Sequence, residues 1–569
     1  MTARLTQLST HLTALLLSAV GATTAGAQIA APPAPASIDL TPPRTPNTAR
    51  GVVFHDANRN AVQDQDERGL PGVLVSNGAD IVRTDSRGRY EIPINEAGAP
   101  GNSVVFVCKP SGFRHPTDEH SVPRFAYVHK PDGSPRDLEY PGVRPTGPLP
   151  KQINFALFEH DEHERFQIAV IGDPQPRNVQ EIDWMAEKVV SEMIGLDVEG
   201  VIALGDIMFD DLSLYPEYNQ AMSAVGAPVY NVHGNHDLNF DAPNDELSDE
   251  TWERVYGATN YAFQIADTHF VVLDNVVYEG GQNDRRYHGR FNEPAMAFLS
   301  NYLELAPKDD LVVVCFHIPL WDVRNRAEFL ELLGSRPRTL SLSAHWHVQR
   351  HVFYGQEDVW PADHADPFGF GAHHHLCHAT ACGSWWRGMK GTDGIPHATM
   401  RDGTPPGHSV ITFEDGGYTI DYKAAGHGER QMAIHVPDQL TWTAIAQGEG
   451  EIVVNIWAGT PKDTVEMRLM RTAPFGRQGV FGWRELDYTP RFDPDYEAAF
   501  EREESLRALF DEGESPGWMA MRPPREAYHI WTGALPAGVD AGAYRLEIRW
   551  TDLFGRTHVE HQPFRVDTD

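Results

Sequence analysis

The central third of the chain alternates short apolar runs with stretches of helical periodicity. Four of the apolar runs end in a polar cluster, and they are RFQIAVIGD, GVIALGD, APVYNVHGNHD and LVVVCFHIP. Helical spacing of apolar residues is found in VQEIDWMAEKVVSEMI and EPAMAFLSNYLEL, which lie between some of these runs. Strands that alternate with helices predict an α/β layered fold whose ligands collect beyond the strand ends. A further stretch, NYAFQIADTHFVVLDN, predicts an antiparallel hairpin that turns at Asp267 and Thr268.

The segments on either side of this core have a different pattern. Residues 49–160 contain short β-rich runs broken by Gly, Pro, Asn and Asp, and they predict a small β-sandwich. An Ala- and Pro-rich stretch at residues 28–48 predicts an extended linker before it. Residues 361–569 begin with a Gly-, His- and Trp-rich segment and return to alternating runs from residue 431. We therefore expect a core at residues 161–360 between two β-rich modules.

The first 27 residues are laid out like a signal peptide. Arg4 precedes an apolar stretch from Leu12 to Val20, and small residues before Gln28 offer a cleavage site. This stretch is shorter than the roughly 20 apolar residues that span a bilayer, and no later segment reaches that length. We expect an exported, soluble protein, periplasmic or extracellular, without a transmembrane segment. The alternative is an uncleaved anchor.

Net charge and cysteine content narrow the function classes. The formal net charge of −33 argues against binding to a nucleic-acid backbone. A small phosphate ester stays compatible with that charge, because a bound metal ion dominates the local field. The four cysteines, Cys108, Cys315, Cys377 and Cys382, are too few for a disulfide scaffold in 569 residues. Cys377 and Cys382 are close enough in sequence to bridge, and the sequence leaves open whether they do.

Polar clusters follow the apolar runs in a fixed order. They are Asp173 with Gln175, Asp206, Asn235 with His236, His317, and His345 with His347. Each cluster alone is common turn chemistry, but the whole ordered set indicates a shared site. Carboxylate and amide oxygens mixed with imidazoles suit Mn, Fe, Zn or similar ions. A pair of such ions about 3.5–4 Å apart, sharing a carboxylate, promotes in-line displacement at phosphorus.

This order of motifs resembles the calcineurin-like metallophosphoesterases, whose signature runs D-x-H, G-D-x-x-D, G-N-H-D/E, H and G-H-x-H. The resemblance covers residues 165–350 and implies a four-layer α/β/β/α core with two divalent metal ions at the strand ends. It implies that the first ion is held by Asp173, Gln175, Asp206 and His347. It implies that the second ion shares Asp206 and is completed by Asn235, His317 and His345. By position, His236 matches the family histidine that contacts the phosphoryl group and protonates the leaving group.

The chain departs from the family pattern at several positions. Gln175 stands where the first motif usually has His, as in branches with a DPQ form, and its amide oxygen suits Mg or Mn. In GDIMFDD the second Asp falls at 210 and 211, with Phe209 at the expected place. Phe209 lacks the phenol with which purple acid phosphatases bind ferric iron, which argues against that branch. Ala344 replaces the Gly of G-H-x-H, and the DRG run of Ser/Thr protein phosphatases is missing.

Residues 383–408 resemble the C-terminal extension of a bacterial exported branch of this superfamily. The resemblance implies that Trp385 and Trp386 wall the substrate pocket, with His375 or His378 in contact with phosphate. The alternative is that the Trp pair packs at a domain interface and the His run is a solvated loop.

The start of the N-terminal module, GVVFHDANRNAVQDQDERGLPGVLVSNG, resembles transthyretin-like and adhesin B-type domains. Positions one, three, five, nine and twelve of a calcium loop are matched by Asp56, Asn58, Asn60, Asp64 and Glu67. Position six is Ala61, where the calcium loop uses Gly for its sharp turn. The segment therefore predicts either a calcium site or an Asx-rich turn.

Two functions remain open. The first is an exported phosphoesterase that hydrolyses phosphate mono- or diesters at two divalent ions, Mn, Fe, Zn or Mg. The second is a cell-surface protein whose flanking β modules contact glycan or envelope, with the core as an inactive scaffold. The nearly intact ligand set favours the first, because an inactive scaffold is expected to lose ligands.

Overall fold

The computed structural model describes residues 37–39, 47–94, 104–281, 285–334, 336–355, 373–437, 440–473, 476–479, 482–511, 514, 516–536 and 538–568. The predicted signal peptide at residues 1–27 and most of the predicted linker at residues 28–48 lie outside these residues. Within them, no helix has the length and apolar character needed to cross a membrane.

The N-terminal module consists of two β-sheets. Its strands β1 to β9 are Ser37–Asp39, Thr48–His55, Leu74–Ser76, Ile81–Arg83, Arg89–Pro93, Val104–Cys108, Phe113–Arg114, Ala126–Val128 and Gln152–Glu159. One sheet has the order β1-β9-β2-β5, with β7 beside β9, and the other has the order β4-β3-β6-β8. Along β5 the side chains of Tyr90 and Ile92 are buried while their neighbours are exposed, which is the alternation of a strand with one face on a core.

Two further sheets form the centre of the molecule. The strands β10 to β22 are Phe166–Ile171, Gly200–Ala203, Val229–Asn231, Tyr261–Ile265, Thr268–Val272, Val276–Tyr278, Tyr287–Gly289, Leu311–Cys315, Thr339–Ser343, Arg350–Tyr354, His373–Cys377, Gly407–Glu414 and Gly417–Ala424. The first central sheet has the order β12-β11-β10-β21-β22, and the second has the order β13-β14-β17-β18-β20-β19, while β15 and β16 pair in a separate two-stranded sheet. Strands β10, β11 and β12 run parallel, as do β14, β17, β18 and β20, so their carboxyl ends meet at one edge.

Aromatic side chains join the two central sheets. Phe270 of β14 lies with its ring centroid 6.4 Å from that of Phe166 in β10 and 5.4 Å from that of Phe413 in β21. The facing sides of the two sheets are therefore buried. The parallel strands β10, β11, β17 and β18 are in fact buried on both faces along almost their whole length, which explains why they are continuous apolar runs rather than alternating ones.

Helices flank these sheets. The helices α1 to α6 are Val179–Met185, Ser191–Met193, Tyr215–Ser223, Glu250–Val255, Glu293–Leu305 and Arg326–Leu333. A π-helical turn, Ala186–Val190, joins α1 to α2, so the segment predicted to be helical is helical almost throughout. Asn178 and Asn292 cap α1 and α5 by accepting backbone hydrogen bonds. The mixed α/β architecture confirms the predicted fold class.

The predicted hairpin is confirmed, with its turn one residue earlier than expected. Strands β13 and β14 pair antiparallel, with Ile265 opposite Thr268. The turn is made by Ala266 and Asp267, and Thr268 already belongs to β14. Ala266 has a φ of 48°, which allows a two-residue connection between the strands.

The central sheets extend beyond residue 360, where the sequence pattern placed a module boundary. β20 pairs with β18, and β21 pairs antiparallel with β10 along Phe166 to Val170. The difference arises in HHHLC, whose three histidines have the pattern of a polar loop. In the fold these imidazoles are buried because Ser, Thr and Tyr hydroxyls form hydrogen bonds with them.

The C-terminal module has its own sheets and core. The strands β23 to β32 are Met432–His435, Leu440–Thr441, Glu451–Ile456, Thr464–Ala473, Gly476–Gly479, Arg484–Glu485, Asp487–Tyr488, Ile530–Ala534, Gly542–Thr551 and Thr557–Asp567. Two helices accompany them, α7 at Trp442–Ala446 and α8 at Pro494–Arg507. The sheets have the orders β23-β25-β30-β29 and β24-β32-β31-β26-β27, with β28 beside β26. Trp531, Leu546 and Trp550 are among the side chains buried between them.

Candidate metal centre

The polar residues predicted to share a site converge at one edge of the central sheets. They follow the carboxyl ends of strands β10, β11, β12, β17 and β18. The backbone there is unusual, because non-glycine residues adopt positive φ angles at Asp173, Gln175, Asp206, His345 and His347. Such conformations are costly and persist where the surrounding structure holds them, which is typical of functional sites.

Asp206 is the hub of the site. Its carboxylate accepts hydrogen bonds from the Gln175 side chain at 2.9 Å and from the His236 backbone N–H at 2.8 Å. The same carboxylate lies 3.1 Å from His317 Nε2. Ligand atoms of Asp206, His317 and His345 all lie within 4.8 Å of one another. The Asp206 carboxylate thus joins two halves of the site. His317 and His345 belong to one half, and Gln175 belongs to the other, together with Asp173 and His347.

Two imidazoles face each other beside this carboxylate. His317 Nε2 lies 3.2 Å from His345 Nδ1 and 3.1 Å from the Asn235 side-chain oxygen. Burial lowers the pKa of His317, but Asp206 outweighs it and raises that pKa to about 9. Burial and the positive His317 together lower the pKa of His345 to about 3. Of these two imidazoles, His317 is therefore the one that carries a proton beside Asp206, and a bound cation can take over the role of that positive charge.

Asp173 and His347 form the other half of the centre. Asp173 Oδ1 accepts a hydrogen bond from the His345 backbone at 3.0 Å. Its Oδ2 is buried and lies 3.1 Å from His347 Nε2, and no described residue donates to it in the geometry of a regular hydrogen bond. The contact of His347 Nδ1 with the Gly383 carbonyl, at 2.6 Å, leaves Nε2 turned toward Asp173. A divalent ion requires ligand atoms such as a buried carboxylate oxygen and an imidazole nitrogen held in a fixed orientation. Asp173 and His347 supply both, so these residues fit a metal.

Gln175 lies in this half of the centre. Its side-chain amide donates to Asp206 Oδ2 at 2.9 Å, and its backbone N–H donates to the Asp206 carbonyl at 3.0 Å. Its side-chain oxygen faces the Cys382 thiol at 3.9 Å. All of the predicted metal ligands are therefore brought together in the structure.

His236 is oriented by an aspartate that the motif spacing left unassigned. Its Nδ1 lies 2.5 Å from Asp210 Oδ1, and Phe209 stacks on its ring at 4.6 Å. Asp210 adopts a φ of 68°, which brings its carboxylate to the imidazole although Phe209 occupies the expected sequence position. Burial lowers the pKa of His236, whereas Asp206 and Asp210 raise it, and the net shift is upward. The adjacent aspartates of GDIMFDD were the signal from which this partner could have been found.

The two tryptophans predicted near the substrate have different environments. Trp385 is half-buried and stacks on the His347 ring with a centroid distance of 4.1 Å. Trp386 is 1% exposed and lies 5.9 Å from Trp184, ring centroid to ring centroid. Only Trp385 contacts a residue of the candidate metal centre, whereas Trp386 anchors the loop by packing.

His375 and His378, the predicted phosphate contacts, are fully buried and paired inside the fold. His375 forms hydrogen bonds with the hydroxyls of Ser341 and Ser343, and His378 with the Ser409 hydroxyl and the Ala379 carbonyl. Neither imidazole reaches the open side of the centre in this structure. The alternative of a solvated loop does not describe them either, because His375 lies within strand β20.

Two further buried imidazoles, those of His351 and His374, make the stability of the protein sensitive to acid. Burial lowers the pKa of His351 to about 3, and it lowers that of His374 well below its ordinary value. In the unfolded chain both take a proton below pH about 6.5, so stability present above that pH is lost as the pH falls toward 3. We expect the free energy of unfolding of the metal-free protein to fall by about 1.4 kcal/mol per pH unit for each such histidine.

Urea unfolding between pH 7 and pH 5 measures this loss. Replacement of the exposed His561 by glutamine should leave the slope unchanged, whereas His351→Gln should make it shallower. A free energy of unfolding that does not fall over this pH interval would contradict the prediction.

The five residues of the predicted calcium loop also come together. Asp56 accepts hydrogen bonds from the backbone of Asn60 and Ala61, while Glu67 accepts them from Ala57 and Asp64. The Asp64 carboxylate accepts hydrogen bonds from the side chains of Asn58 and Asn60. Ala61 has a φ of 59°, the left-handed conformation for which calcium loops use Gly. Calcium binding stays a prediction, beside the alternative of an Asx-rich turn.

The structure contains no bridge between the two cysteines that are close in sequence. Cys377 and Cys382 are both buried free thiols, as are Cys108 and Cys315. Cys377 donates to the Ala344 carbonyl at 3.1 Å, and Cys382 lies between Gln175 and His347.

A parallel α/β core with carboxylates, an amide and imidazoles at its strand ends defines a metal-binding hydrolase. Comparison with protein-family models identifies the family to which this hydrolase belongs. The model described as calcineurin-like phosphoesterase matches residues 166–349, that for the N terminal of this family matches residues 56–141, and that for its C terminal matches residues 375–558. The chain therefore belongs to the calcineurin-like phosphoesterases, a family of phosphoric ester hydrolases that implies divalent metal ions.

Two solved structures are similar to the chain at low identity. One is the purple acid phosphatase PPD1 from yellow lupin seeds, with 10% identity and a TM-score of 0.33 over 46% of this chain and 52% of that one. The chain thus spans about half the length of the lupin protein. The other is PhoD, with 10% identity and a TM-score of 0.31 over 78% of this chain and 94% of that one. Comparison with curated proteins gave no match.

Proposed function

We propose that this protein is an exported phosphoesterase that hydrolyses phosphate mono- or diesters at a centre of two divalent metal ions. The observation that carries the proposal is the position of the Asp206 carboxylate. It lies between His317 and His345 on one side and the half formed by Asp173, Gln175 and His347 on the other. A carboxylate shared by two sets of donors is what a pair of ions requires.

The roles of the ligands follow from their chemistry. The first ion is assigned to Asp173, Gln175, Asp206 and His347, and the second to Asp206, Asn235, His317 and His345. When bound, the ions supply Lewis acidity, which lowers the pKa of water and neutralises charge on the phosphoryl oxygens. Gly383 and Leu204 accept from the Nδ1 atoms of His347 and His317, and so keep their Nε2 atoms pointed inward.

His236 is assigned as the general acid. Asp210 contacts its Nδ1, so Nε2 is the atom left to carry a proton toward the leaving-group oxygen. Burial lowers the pKa of this imidazole, but Asp206 and Asp210 outweigh it and raise that pKa, which favours the protonated form that a general acid needs. Phe209 stacks on the imidazole ring and fixes its plane, and this also fixes the direction of the Nε2–H bond.

Replacing Asp210 by asparagine should slow hydrolysis of esters whose leaving group needs a proton. We expect kcat for an alkyl phosphate to fall about 100-fold, because the imidazole loses its orienting carboxylate and part of its proton affinity. A p-nitrophenyl ester, whose leaving group departs without protonation, should lose much less. Steady-state rates on both esters test this, and an equal loss on both would contradict the acid role.

Gln175 provides a test of the first ion's ligands. Gln175→His should retain activity and shift metal preference away from Mg and Mn, because an imidazole replaces an amide oxygen. Metal affinity is measured by competition with a chromophoric chelator, with His561→Gln as a surface control. Unchanged preference and affinity in Gln175→His would show that this side chain does not touch an ion.

The reaction itself is tested on a panel of phosphomonoesters and phosphodiesters with Mn or Mg. The proposal predicts metal-dependent hydrolysis by the wild type and its loss in His347→Ala. Equal rates in both proteins would overturn it. The panel also decides between monoesters and diesters.

Export and surface contact are part of the proposal. They rest on the signal-peptide layout of residues 1–27 and on the β-rich modules flanking the core. A fusion of residues 1–27 to a reporter active only outside the cytoplasm tests export, and an inactive fusion would refute it. Contact of the flanking modules with glycan or envelope is proposed on their architecture alone, and pull-down on isolated envelope tests it.

A further inference from the structure

Five arginines gather on one side of the metal centre. They are Arg177, Arg387, Arg401, Arg522 and Arg525. Burial lowers the pKa of Arg387, and the neighbouring charges of Arg522 and Arg177 lower it further. Arg522 acts in the same direction on the pKa of Arg401. These guanidinium groups are therefore near enough to repel one another.

The C-terminal module supplies two of these arginines through one docked segment, residues 519–525. The backbone N–H of Gly388 donates to the Met519 carbonyl at 2.9 Å, and that of Arg525 to the Arg401 carbonyl at 2.9 Å. Arg401 Nε donates to the Pro523 carbonyl at 2.7 Å. The segment includes Pro523 and Pro524, whose fixed φ angles restrict its backbone. Arg522 is thus carried on a segment that is held in place.

Two tryptophans connect this cluster to the metal ligands. Arg522 lies over the ring of Trp385, 5.7 Å from its centroid, and Trp385 stacks on His347. Arg525 lies over the ring of Trp346 at 4.0 Å, and it donates to the Trp346 carbonyl at 3.0 Å. Trp346 stands between the ligands His345 and His347 in sequence. The side chain of Trp385 therefore lies between Arg522 and His347, an assigned ligand of the first ion.

The positive charge of the cluster is poorly compensated. Arg177 forms an ion pair with Glu181. Among the described residues, no acidic side chain forms an ion pair with Arg387, Arg401, Arg522 or Arg525. The Nε of Arg387 is buried and has no hydrogen-bond partner among these residues. In a chain of net charge −33, guanidinium groups without an acidic partner, with Arg522 exposed to solvent, are suited to bind an anion.

We propose that Arg522, backed by Arg387 and Arg401, binds a second anionic group of the substrate, a phosphate, carboxylate or sulfonate distinct from the scissile phosphate. This inference rests on the proposed function, because it assigns a substrate class to the same centre. The preferred ester carries two anionic groups, one at the metal centre and one at the arginine cluster. Trp385, between the two, packs against the part of the substrate that joins them.

The experiment compares esters that differ by one anionic group. For a diester the pair is thymidine 5′-(p-nitrophenyl phosphate) with and without a 3′-phosphate, and for a monoester it is 4-sulfophenyl phosphate against phenyl phosphate. We expect the wild type to prefer the doubly anionic ester about tenfold in kcat/KM, through KM. Arg522→Gln should lose that preference, Arg522→Lys should keep part of it, and the exposed Arg565→Gln should keep all of it.

A second measurement separates this inference from the function. Binding of inorganic pyrophosphate to the metal-free protein is followed by calorimetry, because the acidic metal ligands then repel the anion and the arginine cluster attracts it. We expect Arg522→Gln to weaken binding about tenfold. If no ester is hydrolysed but pyrophosphate binding depends on Arg522, the function fails and the anion site stands. If neither preference nor pyrophosphate binding changes in Arg522→Gln, the anion site is refuted.

Discussion

Asp206→Asn is expected to lower kcat/KM for phosphate esters by about 10³-fold or more, the largest effect of any single substitution in the centre. Asp206 is the residue whose carboxylate contacts both halves of the site, through His317 at 3.1 Å and Gln175 at 2.9 Å. Asparagine keeps the shape but removes the negative charge, and its amide NH₂ group cannot ligate a cation. Both ions should therefore be bound more weakly.

The measurement is kcat/KM with saturating Mn, together with metal content by elemental analysis. Asp267→Asn, in the exposed turn between β13 and β14, is the matched control and should retain wild-type rates. Circular dichroism establishes that both variants fold. A rate in Asp206→Asn within a few-fold of wild type, with the metals still bound, would contradict the assignment of Asp206 as the shared ligand.

Lys130→Ala is expected to lower the free energy of unfolding by about 3–5 kcal/mol, the largest effect on stability. The Lys130 side chain is 8% exposed and forms ion pairs with Glu250, at 2.5 Å, and with Glu253 of helix α4. Burial lowers the pKa of Lys130, but the two glutamates outweigh it and raise that pKa. Removal of the ammonium leaves two buried carboxylates without their cation at the contact between the N-terminal module and the core.

Chemical denaturation of the variant measures this loss. Lys308→Ala, at an exposed position, is the control and should change the free energy of unfolding by less than about 0.5 kcal/mol. The triple variant Lys130→Met, Glu250→Gln, Glu253→Gln should recover part of the loss, because it removes the uncompensated charges. A single variant as stable as the control would contradict the account.

The sequence predicts the part of the site that depends on strand ends. Asp173, Asp206, Asn235 and His317 each follow a continuous apolar run, and parallel strands bring their carboxyl ends to one edge. Their convergence therefore requires only the order of the strands, which the alternation of strands and helices indicates. The α/β class and the hairpin at β13 and β14 follow from the same periodicities.

Features that depend on backbone conformation or burial were not predictable in this way. Asp210 reaches His236 only because it adopts a positive φ, so the motif spacing pointed to Phe209. His375 has the pattern of a polar loop residue, but serine hydroxyls from β18 make its burial in β20 acceptable. Trp385 and Trp386 are adjacent in sequence, yet only the fold shows which of them faces the centre. Arg522 comes from a distant module, and no local pattern connects it to His347.

The central claim is that the ordered ligands hold two divalent ions that this chain needs for phosphoester hydrolysis. The most direct test titrates the metal-free protein with Mn and records bound ions and hydrolysis of a phosphate ester in the same sample. The account predicts that two ions bind per chain, that hydrolysis appears only as they bind, and that His347→Ala loses both. Less than one ion per chain after reconstitution, or hydrolysis that is equal with and without metal, would contradict it.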